Sequence, residues 1–446
     1  MEWQLQKTMR KAGPLLLPVV LIIIFFMMPA AQAVEPLWNY SASGVEIGGL
    51  AVSPKGDLIV AGTEKVLFFS KNGTILAREP FGNGVVMTRD GKYTASVYFS
   101  SVYLFRNPVP AGSATVTRLA EYEFSERVQS IDVSRDGNII AGRTLAKRLV
   151  VFNTETGVAK GNSRIDSVIK ISSSGGRIVG ISQGVVHAYS SSGALTRTSD
   201  VEIDSDPHSM LLSSTGYTAI INDGQKVRSL NTNNGDEYWN RQVNGFITAL
   251  AMNPDGSLIV AGTETGNIAA LDKNGNLSWS YASNPENRQN AGITCMALSD
   301  KGTLIAAGTA SGKIVFLNAR GDLAGSWIGR EYIRHIAVSA DGSLVVAATE
   351  DRMYVFSPSS FPVITVSTPT RSMTPTNNIT NQSPVVPSSP QQTVSVPVLK
   401  TTTPASPTEV PTTYSVIRTA SQSSPPALIT LLMSLAVIVV VAGRKR

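Results

Sequence analysis

Residues 249–281, ALAMNPDGSLIVAGTETGNIAALDKNGNLSWSY, decide the fold. Short apolar runs of strand length alternate with turns at Gly256, Gly266 and Gly275, and the unit ends on Trp279, Ser280 and Tyr281. No run keeps a helical period, so the unit reads as a meander of short strands. It recurs as LAVSPKGDLIVAGTEKVLFFSKNG near the start, and as CMALSDKGTLIAAGTASGKIVFLNARG and HIAVSADGSLVVAATEDRMYVFS downstream. Four weaker copies lie between: GVVMTRDGKYTASVYFSSVYLF, SIDVSRDGNIIAGRTLAKRLVVFNTETG, VIKISSSGGRIVGISQGVVHAYSSSG and SMLLSSTGYTAIINDGQKVRSLNTNNG.

The first-turn glycines are Gly56, Gly91, Gly137, Gly175, Gly216, Gly256, Gly302 and Gly342, spaced 35 to 46 residues apart. That spacing suits a four-stranded propeller blade, so the chain is expected to be all-β with eight blades, or seven if one degraded copy is split between neighbours. Three residues before each glycine stand Ser53, Thr88, Ser134, Ser172, Ser213, Asn253, Ser299 and Ser339. A side-chain oxygen at a fixed offset predicts one common corner, in which it bonds the backbone. A second glycine (Gly73, Gly157, Gly193, Gly235, Gly275, Gly321) closes the third strand in six copies.

The last copy stops at Phe356 without a Trp-x-Tyr strand, while Trp38, Asn39 and Tyr40 repeat that pattern some 300 residues earlier. The N-terminal strand is therefore expected to complete the last blade and close the ring.

The order of motifs in residues 255–281 resembles the PQQ-type repeat of quinoprotein-like propellers, and the S-x-D-G corner is similar to that of WD-repeat proteins. The resemblance covers residues 36–357. Quinoprotein dehydrogenases of that kind imply a vicinal disulfide beside the quinone and a carboxylate-bound calcium. The single cysteine, Cys295, cannot supply the disulfide, and no acidic cluster has metal-ligand spacing, so no cofactor is expected. Cys295 falls in a predicted strand as a small core residue.

The ends of the chain carry an address. Lys7, Arg10 and Lys11 precede an apolar run from Leu15 to Met28 and the small-residue ending Ala31-Gln32-Ala33. This is the form of a secretory signal over 1–33, cleaved after Ala33, with an uncleaved anchor as the rival. Residues 427–443 are uncharged and are closed by Arg444, Lys445 and Arg446, as in a transmembrane helix with a cytoplasmic basic end. Between the last blade and that helix, residues 358–426 are rich in Pro, Ser and Thr, the composition of an extended stalk.

These features place the domain, residues 34–357, on the extracytoplasmic side of a cell membrane. They also explain the charge. The signal and basic end hold six of 38 basic residues and one of 32 acidic ones, which leaves 32 against 31. The pI of 9.3 thus gives no footprint for nucleic acid. Sequons at Asn39, Asn72, Asn276, Asn378 and Asn381 are glycosylation candidates.

Chemistry is sparse. His187, His208 and His335 lie in different repeats and form no local constellation for a metal or triad, so none is assigned as catalytic. Loops between blades rim the central channel, which makes Glu46, Arg127, Asp166, Asp206, His208 and Arg334 candidate ligand contacts. Asp132 and Lys170 stand five residues before a corner glycine, where other copies carry Ala51, Ala251, Ala297 and Ala337. They are expected to pair across neighbouring blades or to meet a ligand. Trp38, Trp239, Trp279 and Trp327 fall near outer strands, where they pack between blades or form a binding surface. The favoured function is a non-catalytic binding or scaffold module for a surface protein, glycan or wall component. The rivals are a hydrolase or lyase using Glu46, Asp166 and Asp206, and a passive structural part of the envelope.

Overall fold

The computed structural model describes residues 33–108, 115–160, 163–203, 209–283, 291–358 and 416–417. The expected membrane helix, with Asn378 and Asn381, lies outside these residues, as do the expected signal apart from Ala33 and the expected stalk apart from Pro358 and Val416–Ile417. The described chain forms eight antiparallel blades rather than seven, each built on a four-stranded meander, and in blades 1 to 7 the four strands follow one another along the chain. Blade 1 comprises Gly49–Val52, Leu58–Gly62, Lys65–Ser70 and Ile75–Pro80, and the pattern repeats up to blade 7, which ends on Leu323–Ile328. Val416–Ile417 adds a fifth strand to the outer edge of blade 2 beside Thr117–Glu123.

Blade 8 takes its first three strands, His335–Val338, Val345–Ala348 and Arg352–Phe356, from the end of the domain and its fourth, Trp38–Ser41, from the beginning. Trp38 pairs with Val355 and Tyr40 with Met353, so the expected closure is present. The same segment also touches both neighbouring blades. The Trp38 indole N–H donates to the Lys71 carbonyl of blade 1 at 2.8 Å, and Val34 N–H donates to Ser326 O of blade 7 at 2.8 Å.

The corner chemistry holds in every copy. The side-chain oxygens of Ser53, Thr88, Ser134, Ser172, Ser213, Asn253, Ser299 and Ser339 accept the N–H five residues on, at 2.9–3.1 Å. The carbonyl of the same residue accepts the corner glycine's N–H at 2.8–3.0 Å. Asn253 serves because its amide oxygen accepts as a hydroxyl oxygen does. Adjacent corners are then tied to one another, as by Ser173 N to Ser214 O (3.0 Å) and, across the closing seam, Asp341 N to Pro54 O (3.1 Å).

The core lies between blades. Ile59, Ala61 and Phe69 of blade 1 meet Val346, Met353 and Val355 of blade 8, and the other clusters likewise join adjacent sheets. Three tryptophans lock this packing from outside. Trp38, Trp239 and Trp279 each donate to a carbonyl in the next blade's outer turn, at 2.8, 2.8 and 3.0 Å. Each ring covers the glycine of that turn. A Cβ on Gly321 would lie 2.5 Å from the Trp279 ring, and its φ of +82° also excludes most side chains. Trp327 packs instead on Tyr354 and Phe356, with centroids 4.5 and 5.6 Å away. All four tryptophans thus pack between blades.

Candidate functional site

A meander blade puts its first and third turns at one end of the channel and its second turn, with the interblade loop, at the other. The first end carries the repeated corners. The second, the loop end, differs from blade to blade, and most of the predicted rim residues described here lie on it.

Two of them are bound to each other. Arg334 donates to Glu46 at 2.9 Å and to Glu350 at 3.1 Å, beside a cleft of about 460 Å3 lined also by Glu331, Tyr332 and Asp351. Asp166, in the loop entering blade 4, accepts from Gln183 N–H (2.9 Å), Ser182 Oγ (3.1 Å) and Arg164 Nε (2.9 Å). Burial would raise its pKa, but these bonds outweigh it and hold the carboxyl down to about 2. Asp206 and His208 lie outside the described residues.

Asp132 and Lys170 share a level of the channel wall with Ala51, Val86, Leu211, Ala251, Ala297 and Ala337, all at the same register against their second strands. The expected ion pair between them is not formed. Asp132 Oδ2 accepts Ile171 N–H of the next blade at 2.9 Å instead. The reason is topological: the inner strand is a sheet edge whose outward N–H groups have no ladder partner, and a carboxylate beside one is a charge-assisted acceptor. Of the other singled-out residues, His187 meets Thr198 Oγ1 at 3.0 Å, with its pKa lowered by burial. His335 is lowered by burial and then by Arg334. Burial pushes the Cys295 thiol up to about 12, which keeps it protonated at neutral pH. Among the described residues no group of three or more His, Cys, Asp or Glu could hold a metal ion.

The distinctive surface includes one predicted rim residue, Arg127, beside aromatic residues that the sequence reading does not single out. Phe81, in the loop entering blade 2, and Phe99, in the second turn of that blade, are 44% and 58% exposed. Both stand in the left-handed region, with φ of +68° and +50°. Their rings meet Tyr98 at 5.4 and 4.6 Å, and Arg127 of the loop entering blade 3 lies over Phe99 at 5.4 Å. Leu145, 57% exposed, joins Phe99, Arg127, Asn83 and Gln129 around a cleft of about 360 Å3.

The backbone makes this placement costly. Tyr98 pairs with Ser101, which leaves Phe99 as the first of two turn residues, the place that blade 5 gives to Gly224 between Asp223 and Lys226. A left-handed φ costs a bulky L-residue about 1–2 kcal/mol, and strain of this kind concentrates at binding sites. The readable signal is therefore an aromatic residue where a turn calls for glycine.

The comparisons agree with this architecture. Residues 182–326 match the PQQ_2 family, described as outer membrane protein assembly factor BamB. No curated protein matches the chain. Among solved structures, Chaetomium thermophilum Sqt1 bound to the N-terminus of ribosomal protein L10 superposes with a TM-score of 0.61 at 15% identity, covering 73% of this chain and 100% of that one. The C-terminal WD40 domain of Sif2 gives 0.63 at 12% identity, covering 74% and 99%, and the computationally designed Ika8 protein gives 0.59 at 15%, covering 73% and 99%. At these identities the likeness is one of fold.

Proposed function

We propose that this chain is a binding module displayed outside a cell membrane, and that a polypeptide partner docks on the loop end at Phe81, Phe99, Leu145 and Arg127. The observation that carries the proposal is Phe99, an exposed aromatic side chain held at φ +50° under an arginine. A residue that is strained and solvated adds little to the fold, so its retention is explained by what it meets. Aromatic rings and arginine are the side chains that anchor protein interfaces. The guanidinium of Arg127 makes no ion pair among the described residues, which suits a partner offering a carboxylate next to an apolar side chain. A scaffold of this fold is also suited to the task. The Sqt1 propeller holds the N-terminus of a ribosomal protein, and the matched family is described as an assembly factor.

The hydrolase reading has less support. Glu46 is committed to Arg334, and a carboxylate with a pKa near 2, as at Asp166, is a poor proton carrier at neutral pH. Selection of a displayed random-peptide library on the full chain tests the binding proposal. It should enrich peptides that join an aromatic or aliphatic residue to Asp or Glu, and their binding should fall at least tenfold with Arg127→Ala, the ~1.4 kcal/mol or more expected of an anchor. No enrichment, or binding indifferent to Arg127, contradicts it. Anchoring has its own check: a chain ending at residue 357 is expected in the medium, and persistence in the membrane fraction counts against a C-terminal anchor.

A further inference from the structure

Val34 is the first residue after the Ala31-Gln32-Ala33 ending, and the fold buries it. Its side chain is only 4% exposed, in the cluster that includes Leu304, Phe316, Ile333 and Phe356. Its N–H donates to Ser326 O at 2.8 Å, and Ala33 forms a parallel bridge with the same residue. Ala33 itself is exposed.

A peptidase binds the chain as an extended segment on both sides of the scissile bond and needs its backbone groups free. In the folded domain the Ala33–Val34 bond fails both conditions, because the Val34 N–H is used and its side chain is covered. We propose that Ala33–Val34 is a processing site that is cut before the N-terminal segment docks, and that the α-ammonium so released takes over the bond to Ser326. Hydrolysis adds the oxygen of water to the Ala33 carbonyl carbon, breaks the C–N bond, and leaves a carboxylate on Ala33 and a protonated amine on Val34. An ammonium has three donors. One keeps the Ser326 carbonyl while the others turn outward, where the chain now ends and Ala33 stood exposed. The order matters to the fold, since the docked segment joins blade 7 at Val34, blade 8 at Trp38–Ser41 and blade 1 through the Trp38 indole. Cutting thus precedes ring closure, and a chain that closes first keeps residues 1–33 attached.

A purified signal peptidase in detergent micelles tests this on two substrates, the folded full-length chain made without export and a synthetic peptide of residues 22–42. The peptide should be cut between Ala33 and Val34. The folded chain should be cut at that bond on the order of a hundredfold more slowly, in proportion to the time the segment spends undocked. Trp38→Ala, which removes the contact with blade 1, should raise the folded chain's rate, and the intact mass of the exported protein should begin at Val34. Equal rates for peptide and folded chain, a peptide not cut at that bond, or an exported chain beginning elsewhere would overturn the proposal.

Discussion

Each end of the channel holds an arginine over an aromatic ring, and the two pairs differ in what else holds the arginine. At the corner end Arg177 lies 5.0 Å from the Tyr217 ring, while its guanidinium donates to Thr232 O at 2.7 Å and to Asn233 Oδ1 at 3.3 Å. At the loop end Arg127 lies over Phe99, and its guanidinium has no hydrogen bond or ion pair among the described residues. Tyr217 follows a glycine that takes the left-handed turn, whereas Phe99 takes that turn itself. The first pair is built into the fold; the second stands on it. Stability should therefore track the corner end and the closing strand, and binding should track the loop end.

The largest expected effect comes from the closing strand. A chain starting at Gly44 loses the fourth strand of blade 8, the Trp38 indole bond and the buried Val34, and should lose on the order of 5 kcal/mol, comparable with deleting a buried large aromatic residue. A chain ending at residue 360 should keep its melting temperature. Equal melting temperatures for the two would show that the ring does not depend on its N-terminal strand.

Ser339 is fully buried, and its Oγ accepts Leu344 N–H at 2.9 Å. Ser339→Ala leaves that N–H without a partner and should cost about 2 kcal/mol, seen as a lower denaturant midpoint at unchanged slope. Ser339→Asn should recover part of the loss, because Asn253 makes the same bond in blade 6.

Asp166 should give a smaller, pH-dependent effect. Its folded pKa, about 2, lies below the ordinary 3.8, so its bonds contribute stability fully above pH 4 and lose it as the pH falls toward 2. Asp166→Asn should thus lower stability by about 1 kcal/mol at pH 7, after allowing for solvent around the site. Well below pH 2 the variant and the natural chain should unfold together. A difference that persists there would assign the loss to packing.

The smallest expected effect is at Phe99. Phe99→Gly restores the residue that blade 5 uses in the same turn, so stability should be unchanged or higher by up to about 1 kcal/mol. A loss above that size would mean that Phe99 belongs to the fold after all.

Local chemistry explains what could be read in advance. The Ser-to-N–H bond spans five residues and the glycine turn fewer, so each copy carries its own evidence, and closure was legible because Trp38 and Tyr40 repeat Trp279 and Tyr281. Contacts between blades were harder. Asp132 and Lys170 hold equivalent registers in neighbouring blades, as their offset from the corner glycine indicates, but their partners depend on which edge N–H lies nearest, and Asp132 takes Ile171. Phe99 and Arg127 are 28 residues apart and belong to different repeats. Only the ring brings them together, although the missing glycine at Phe99 was a visible sign.

The most direct test replaces Phe99 with a photo-crosslinking phenylalanine analogue in the full chain, with the same analogue at Tyr217 as the matched control at the corner end. Both positions are about half exposed, at 58% and 52%. Illumination on intact cells should give a discrete higher-mass adduct from position 99 that disappears with Phe81→Ser, and none from position 217. Adducts of equal yield from both ends, or none from position 99, would contradict a binding surface at the loop end.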